Sequence, residues 1–124
     1  MIKILLVDDE PAVRQGLRMR LALEPDLLVV GEAGDGVAAI KAVQALGPDV
    51  VVTDVDMPKM DGITMIEWLR EVASSVAAIV LTVHDHAEAR AQARAAGAKA
   101  FICKQEDVER LIDAIRHVVI SDCT

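Results

Sequence analysis

Aromatic residues are almost missing: the 124 residues include one Trp, one Phe and no Tyr. Trp68 and Phe101 alone cannot build a base-stacking platform or sandwich a flavin ring. Cysteine is equally sparse. Cys103 and Cys123 follow no ligand spacing, which excludes a disulfide framework and a zinc site. No apolar run approaches the roughly 20 residues of a membrane span. The opening stretch Ile2-Lys3-Ile4-Leu5-Leu6-Val7 is too short for a secretory signal and ends in acids. Positive charge is in deficit, with 13 Lys and Arg against 20 Asp and Glu and a net charge of −7. A nucleic-acid backbone repels such a chain, so direct nucleic-acid binding is not expected. The expectation is a cytoplasmic domain without membrane contact.

What is present is a core. Hydrophobic residues make up 53% and charged residues 27%, the balance of a globular domain. Val50-Val51-Val52-Thr53 reads as a strand buried on both faces, and such a strand cannot keep a charge inside it. Asp54 therefore belongs at its carboxyl end. Before it, 2–7 reads as a strand closed by Asp8-Asp9-Glu10. Pro11 suits a first helical turn, and Val13, Leu17 and Leu21 recur at helical spacing as far as Pro25-Asp26. A second strand is expected over 27–30, ending at Gly31. A helix follows over 37–46 with Ala39, Ile40 and Val43 inward, stopped by Gly47-Pro48.

Past Pro58 and the turn Asp61-Gly62, a helix carries Ile66 and Leu69 to about Ala73. Ala77 to Thr82 is the fourth strand. An alanine-rich helix over 87–96 has a thin apolar face, either marginally packed or kept for a partner, with the second reading slightly preferred, and Gly97 is its cap. A fifth strand covers 99–103. The last helix shows Val108, Leu111, Ile112, Ile115 and Val119 as one stripe. Strands alternating with helices at this spacing predict an α/β fold. The expected form is a doubly wound, five-stranded parallel sheet in the order 2-1-3-4-5, flavodoxin-like. Its switch point lies between the first and third strands, which brings Asp8, Asp9 and Asp54 together.

Clustered carboxylates do not all stay ionised unaided: two unit charges about 4 Å apart cost about 4 kcal/mol at an effective dielectric near 20. Either one is protonated or a hard cation neutralises them, and oxygen donors of this kind suit Mg²⁺. Thr82 and Lys104 end the fourth and fifth strands at the same edge. Acids, a hydroxyl and an ammonium surrounding one point are what a phosphoryl group in transfer requires, with Asp54 as candidate nucleophile.

With Asp8-Asp9, Asp54, Met57-Pro58, Asp61-Gly62, Thr82 and Lys104 in this order, the chain resembles the receiver domain of two-component response regulators over its whole length. The resemblance implies that Asp54 accepts a phosphoryl group from a sensor histidine kinase. It implies Mg²⁺ held by Asp8, Asp9 and Asp54, with Asp9 the more direct of the pair and the main-chain carbonyl of Asp56 as a further ligand. Thr82 and Lys104 match the residues that contact the phosphoryl group, and Phe101 matches the aromatic switch, more often Tyr. Val83 stands where a small residue is usual, and Gln105 where Pro is usual. The latter, with Val30-Gly31-Glu32-Ala33 and the Ala114-Ile115-Arg116 helix, resembles receivers of NarL/LuxR-type transcription regulators. Such a domain is a phosphoacceptor switch, not a classical enzyme. The implied boundaries are a receiver over 1–120 and a tail or linker start over 121–124. The output DNA-binding domain would lie outside this chain or be a partner protein, and homodimerisation on phosphorylation stays open.

Blander readings exist for each residue. Asp8 or Asp9 could cap the first helix. Asp61-Gly62 reads as structural, Phe101 could be simple core, and His84 and His86 read as solvated. Gly31, Gly34 and Gly36 do not form G-x-G-x-x-G. Two other functional classes remain. Asp54 and Asp56 resemble the nucleophile and general acid of a haloacid-dehalogenase-like phosphohydrolase, although Pro58 and the missing room for a cap domain depart from it. A flavodoxin-like electron carrier shares the fold but lacks the flanking aromatics.

Overall fold

The computed structural model describes residues 1–55, 57, 60–82, 87–104 and 108–122, with side chains described up to residue 119. The elements are β1 (Ile2–Val7), α1 (Pro11–Leu21), β2 (Leu27–Ala33), α2 (Gly36–Leu46), β3 (Val50–Thr53), α3 (Gly62–Val72), β4 (Ala77–Thr82), α4 (Ala87–Ala96), β5 (Ala100–Cys103) and α5 (Val108–Asp122). All strand pairings are parallel, in the expected order β2-β1-β3-β4-β5.

The side-chain alternation of β1 sorts the core into two layers. Ile4 and Leu6 face Leu21, Leu111, Ile112 and Ile115, beneath α1 and α5. Leu5 and Val7 face Ala39, Val43, Met65 and Leu69, beneath α2 and α3. Both faces of the sheet are therefore covered, which explains why β3 and β4 are continuously apolar and wholly buried. Side-chain caps start two of the helices: Asp35 accepts from the Ala38 amide and Asp61 from the Thr64 amide, both at 2.8 Å. Gly47 ends α2 with φ of 57°, and its amide donates to the Val43 carbonyl.

Several expectations change: α1 stops at Leu21, short of Pro25, and α2 starts one residue early at Gly36. β2 runs through Gly31 to Ala33, beyond the expected stop at residue 30. A register shift between Ile4 and Leu5 lets the strand carry an extra residue, pairing Ile4 with Val29 and Leu5 with Gly31. A Cβ on Gly31 would lie 2.6 Å from Leu46, so this glycine marks close packing within a strand, not its end. The residue capping α1 is Glu10, without a side-chain bond, so neither Asp8 nor Asp9 is the cap. Finally, β5 starts at Ala100, one residue later than expected.

Candidate phosphoryl-transfer site

The parallel ladder brings four strand ends to one edge. Val7 pairs with Thr53, so Asp8 and Asp54 follow on neighbouring strands, and the Asp54 amide donates to the Val7 carbonyl at 3.0 Å. Thr82 pairs with Cys103, and the Lys104 amide donates to the Thr82 carbonyl at 2.7 Å. Asp8, Asp54 and Thr82 are all buried, at 4, 7 and 0% exposure. Buried carboxylates need partners. Lys104 supplies one to both: its ammonium donates to Asp8 Oδ2 at 2.7 Å and to Asp54 Oδ2 at 3.1 Å. The remaining oxygens accept main-chain donors, Asp8 Oδ1 from the Glu10 amide at 2.9 Å and Asp54 Oδ1 from the Val55 amide at 2.7 Å. Burial pulls the Lys104 pKa down, but the hydrogen bonds and charges of Asp8 and Asp54 outweigh it and hold the ammonium above an ordinary lysine.

The start of α3 fixes Asp54 from behind. A Cβ on Gly62 would fall 2.0 Å from the Asp54 carbonyl oxygen, and the Gly62 amide donates to the Val55 carbonyl at 3.1 Å. Only glycine permits that approach, so Asp61-Gly62 is a helix start that also packs directly on the Asp54 main chain.

Asp8, Asp9 and Glu10 each place one carboxylate oxygen within 4.8 Å of the others, with Asp9 and Glu10 exposed. Such hard oxygen donors, one of them buried, fit a divalent cation such as Mg²⁺. Glu10 was not singled out from the sequence, although it continues the acidic run after β1. Asp54, expected beside Asp8 and Asp9, is not one of these three; it is linked to Asp8 through Lys104, which spans the two. Asp56, on which both a carbonyl ligand and the hydrolase alternative depend, lies outside the described residues, as do Pro58, Val83, His84, His86, Gln105 and Cys123.

Phe101 is half-buried on β5, paired with Val80 and packed on the cluster of Val55, Ile66 and Val80. The Arg90 guanidinium lies over its ring, 4.7 Å from the centroid. Cys103 is buried at the end of β5, paired with Thr82. Among the described residues, no helix is long and apolar enough to cross a membrane.

Residues 4–116 match the family model of the response regulator receiver domain. The nitrate/nitrite response regulator protein NarL of Escherichia coli K12 is 34% identical over 119 residues, spanning 96% of this chain and 55% of that protein. The transcriptional regulatory protein UhpA of Salmonella typhimurium is 38% identical over 123 residues, spanning 99% and 61%. The chain thus covers less than two thirds of the length of these curated relatives. Among solved structures, the receiver domain of the putative response regulator NarL from Mycobacterium tuberculosis superposes with a TM-score of 0.91 at 30% identity, over 95% of each chain. A LuxR-family two-component response regulator from Aurantimonas sp. gives 0.92 at 31%, over 96% of this chain and 85% of that one.

Proposed function

The chain belongs to the response regulator receiver domain family, and from that premise we propose that Asp54 accepts a phosphoryl group from a sensor histidine kinase. One observation carries the reading: the Lys104 ammonium is shared by Asp8 and Asp54, from strands that meet only in the folded sheet. An Asp54 carboxylate oxygen attacks phosphorus in line as the phosphorus–nitrogen bond to the donor imidazole breaks. The product is an acyl phosphate on Asp54 and a free imidazole on the kinase.

This chain's residues prepare that step. The Val55 amide and Gly62 hold the Asp54 carboxylate and its backbone in place. Lys104 stays protonated and turns its charge toward the phosphoryl oxygens. Thr82, buried at the end of β4, offers a hydroxyl to one of those oxygens. Asp8, Asp9 and Asp54 would hold Mg²⁺, with the Asp56 carbonyl beside them, and the ion would neutralise the charge of the transferring group. Drawing Thr82 toward the phosphate opens space into which Phe101 turns, leaving Arg90 and altering the α4–β5–α5 face. The readout is control of transcription through a DNA-binding domain outside residues 1–120 or through a partner protein, with homodimerisation as the natural means of coupling.

Acetyl phosphate with Mg²⁺ should add one phosphoryl group to the wild type, read by intact mass, and none to Asp54→Asn. Equal uptake by the Asn variant would falsify the assignment.

A further inference from the structure

Arg14 stands one turn into α1, where the helix dipole disfavours a cation, and the first turn of α1 carries no acid to offset it. Its partners lie elsewhere. Nε donates to Glu32 Oε1 at 3.1 Å, near the end of β2, and Nη1 donates to the main-chain carbonyl of Asp8 at the end of β1. The side chain is only 18% exposed. Asp8 is consequently held at every polar atom. Its amide donates to the Ala33 carbonyl at 3.0 Å, its carbonyl accepts from Arg14, and its two carboxylate oxygens take the Glu10 amide and Lys104.

The carbonyl that Arg14 grips belongs to the Asp8–Asp9 peptide. The plane of that peptide sets the direction in which Asp9 leaves the strand, and hence where its carboxylate falls relative to that of Asp8. We infer that Arg14, braced by Glu32, is a positioning residue for the divalent cation, holding the Asp8–Asp9 peptide so that both carboxylates converge. This rests on reading Asp8 and Asp9 as cation ligands. Arg14 itself bonds Glu32 and the Asp8 main-chain carbonyl, and acts through that peptide. The guanidinium fork matters, because one rigid group must satisfy an acid on β2 and a carbonyl on β1 at once. Two effects of Arg14 oppose each other. As a positive charge it repels a divalent ion, and as a brace it pre-orients the ligands. Glu32, shared by Arg14 and Arg18, offsets part of that charge, and the bracing should outweigh what is left.

Mg²⁺ titration by calorimetry on the phosphate-free protein decides between them, alongside urea unfolding of each variant. Arg14→Ala should weaken Mg²⁺ binding about ten-fold, the lower end for loss of a residue that orients a metal ligand. Arg14→Lys, which keeps the charge but not the fork, should recover only part. Arg18→Ala is the control, since Arg18 also pairs with Glu32, at 2.7 Å, without reaching Asp8; it should bind Mg²⁺ as the wild type does. Wild-type or tighter binding by Arg14→Ala overturns the inference and leaves Asp54 as phosphoacceptor intact. A loss shared equally by Arg18→Ala also overturns it, as general electrostatics or stability would then suffice. A wild type that takes up no Mg²⁺ overturns the cation reading of Asp8 and Asp9, and this inference with it. Should Arg14→Ala fail to fold, the comparison of Arg14→Lys with Arg18→Ala carries the same decision.

Discussion

At the mouth of the sheet, Lys104 lies between Asp8 and Asp54, with side chains 13, 5 and 8% exposed. Along α5, Arg116 grips Glu24 at 2.8 Å and Asp26 at 2.9 Å, with side chains 36, 22 and 46% exposed. Arg20 extends this second group, pairing with Glu24 at 3.1 Å and with Glu109. The chemistry is the same and the surroundings are opposite. Around Arg116 water screens every charge, so the network ties α5 to the turn between α1 and β2 and contributes little else. Around Lys104 burial removes that screening. The acids depend on the ammonium, and any group that replaces or competes with it must bring comparable charge. Exposed pairs dock an element, whereas the buried group holds the strand ends ready for chemistry.

The largest disturbance should come from the scaffold of the buried group. Gly62→Ala forces a methyl into the Asp54 carbonyl and should cost about 3 kcal/mol, read as a lower urea midpoint with little change in slope. An unchanged midpoint would mean that α3 can swing away from Asp54 freely. Next, Lys104→Met removes charged hydrogen bonds to two buried acids and should cost about 2 kcal/mol. Mg²⁺ should restore part of this loss; if it leaves the loss unchanged, the acids are not a cation site.

Titration separates the two groups by sign. The folded pKa of Lys104 is raised, so its contribution is complete below the unfolded value near 10.4 and fades only as pH climbs through the folded value. Hydrogen bonds from Arg116, with Arg20 assisting at Glu24, lower the folded pKa values of Glu24 and Asp26. Their contribution is complete above the unfolded values near 4 and is lost as pH falls through the folded ones. Arg116→Ala should therefore flatten the acid side of a stability–pH curve, and Lys104→Met the alkaline side. The smallest effect is that of Arg116→Ala at neutral pH. It should lower the urea midpoint slightly and lose even that at high salt; a salt-independent loss would show that packing of the arginine stem matters more than its charge.

Much of this was legible from residue order. β3, β4 and α4 fall on the expected residues because buried strands and an alanine-rich helix announce themselves by local composition. Gly31 misled, because a glycine reads locally as punctuation, while here it lies inside β2, paired with Leu5 just past the register shift. Arg14 went unremarked for a similar cause: nothing near it in sequence reveals that it reaches β2 and the Asp8 carbonyl.

Periodicity and the placement of charges after apolar runs settled by themselves the alternation of strands and helices and which acids, hydroxyl and lysine stand at strand ends, since burial forbids a charge within those strands. Only the tertiary structure decided that Lys104 spans Asp8 and Asp54, that Gly62 packs on the Asp54 main chain, and that Arg116 docks α5. The reason is physical: these contacts join groups far apart along the chain. Hydrogen-bond geometry at 2.7–3.1 Å is set by how helices and strands settle against one another, which local composition does not encode.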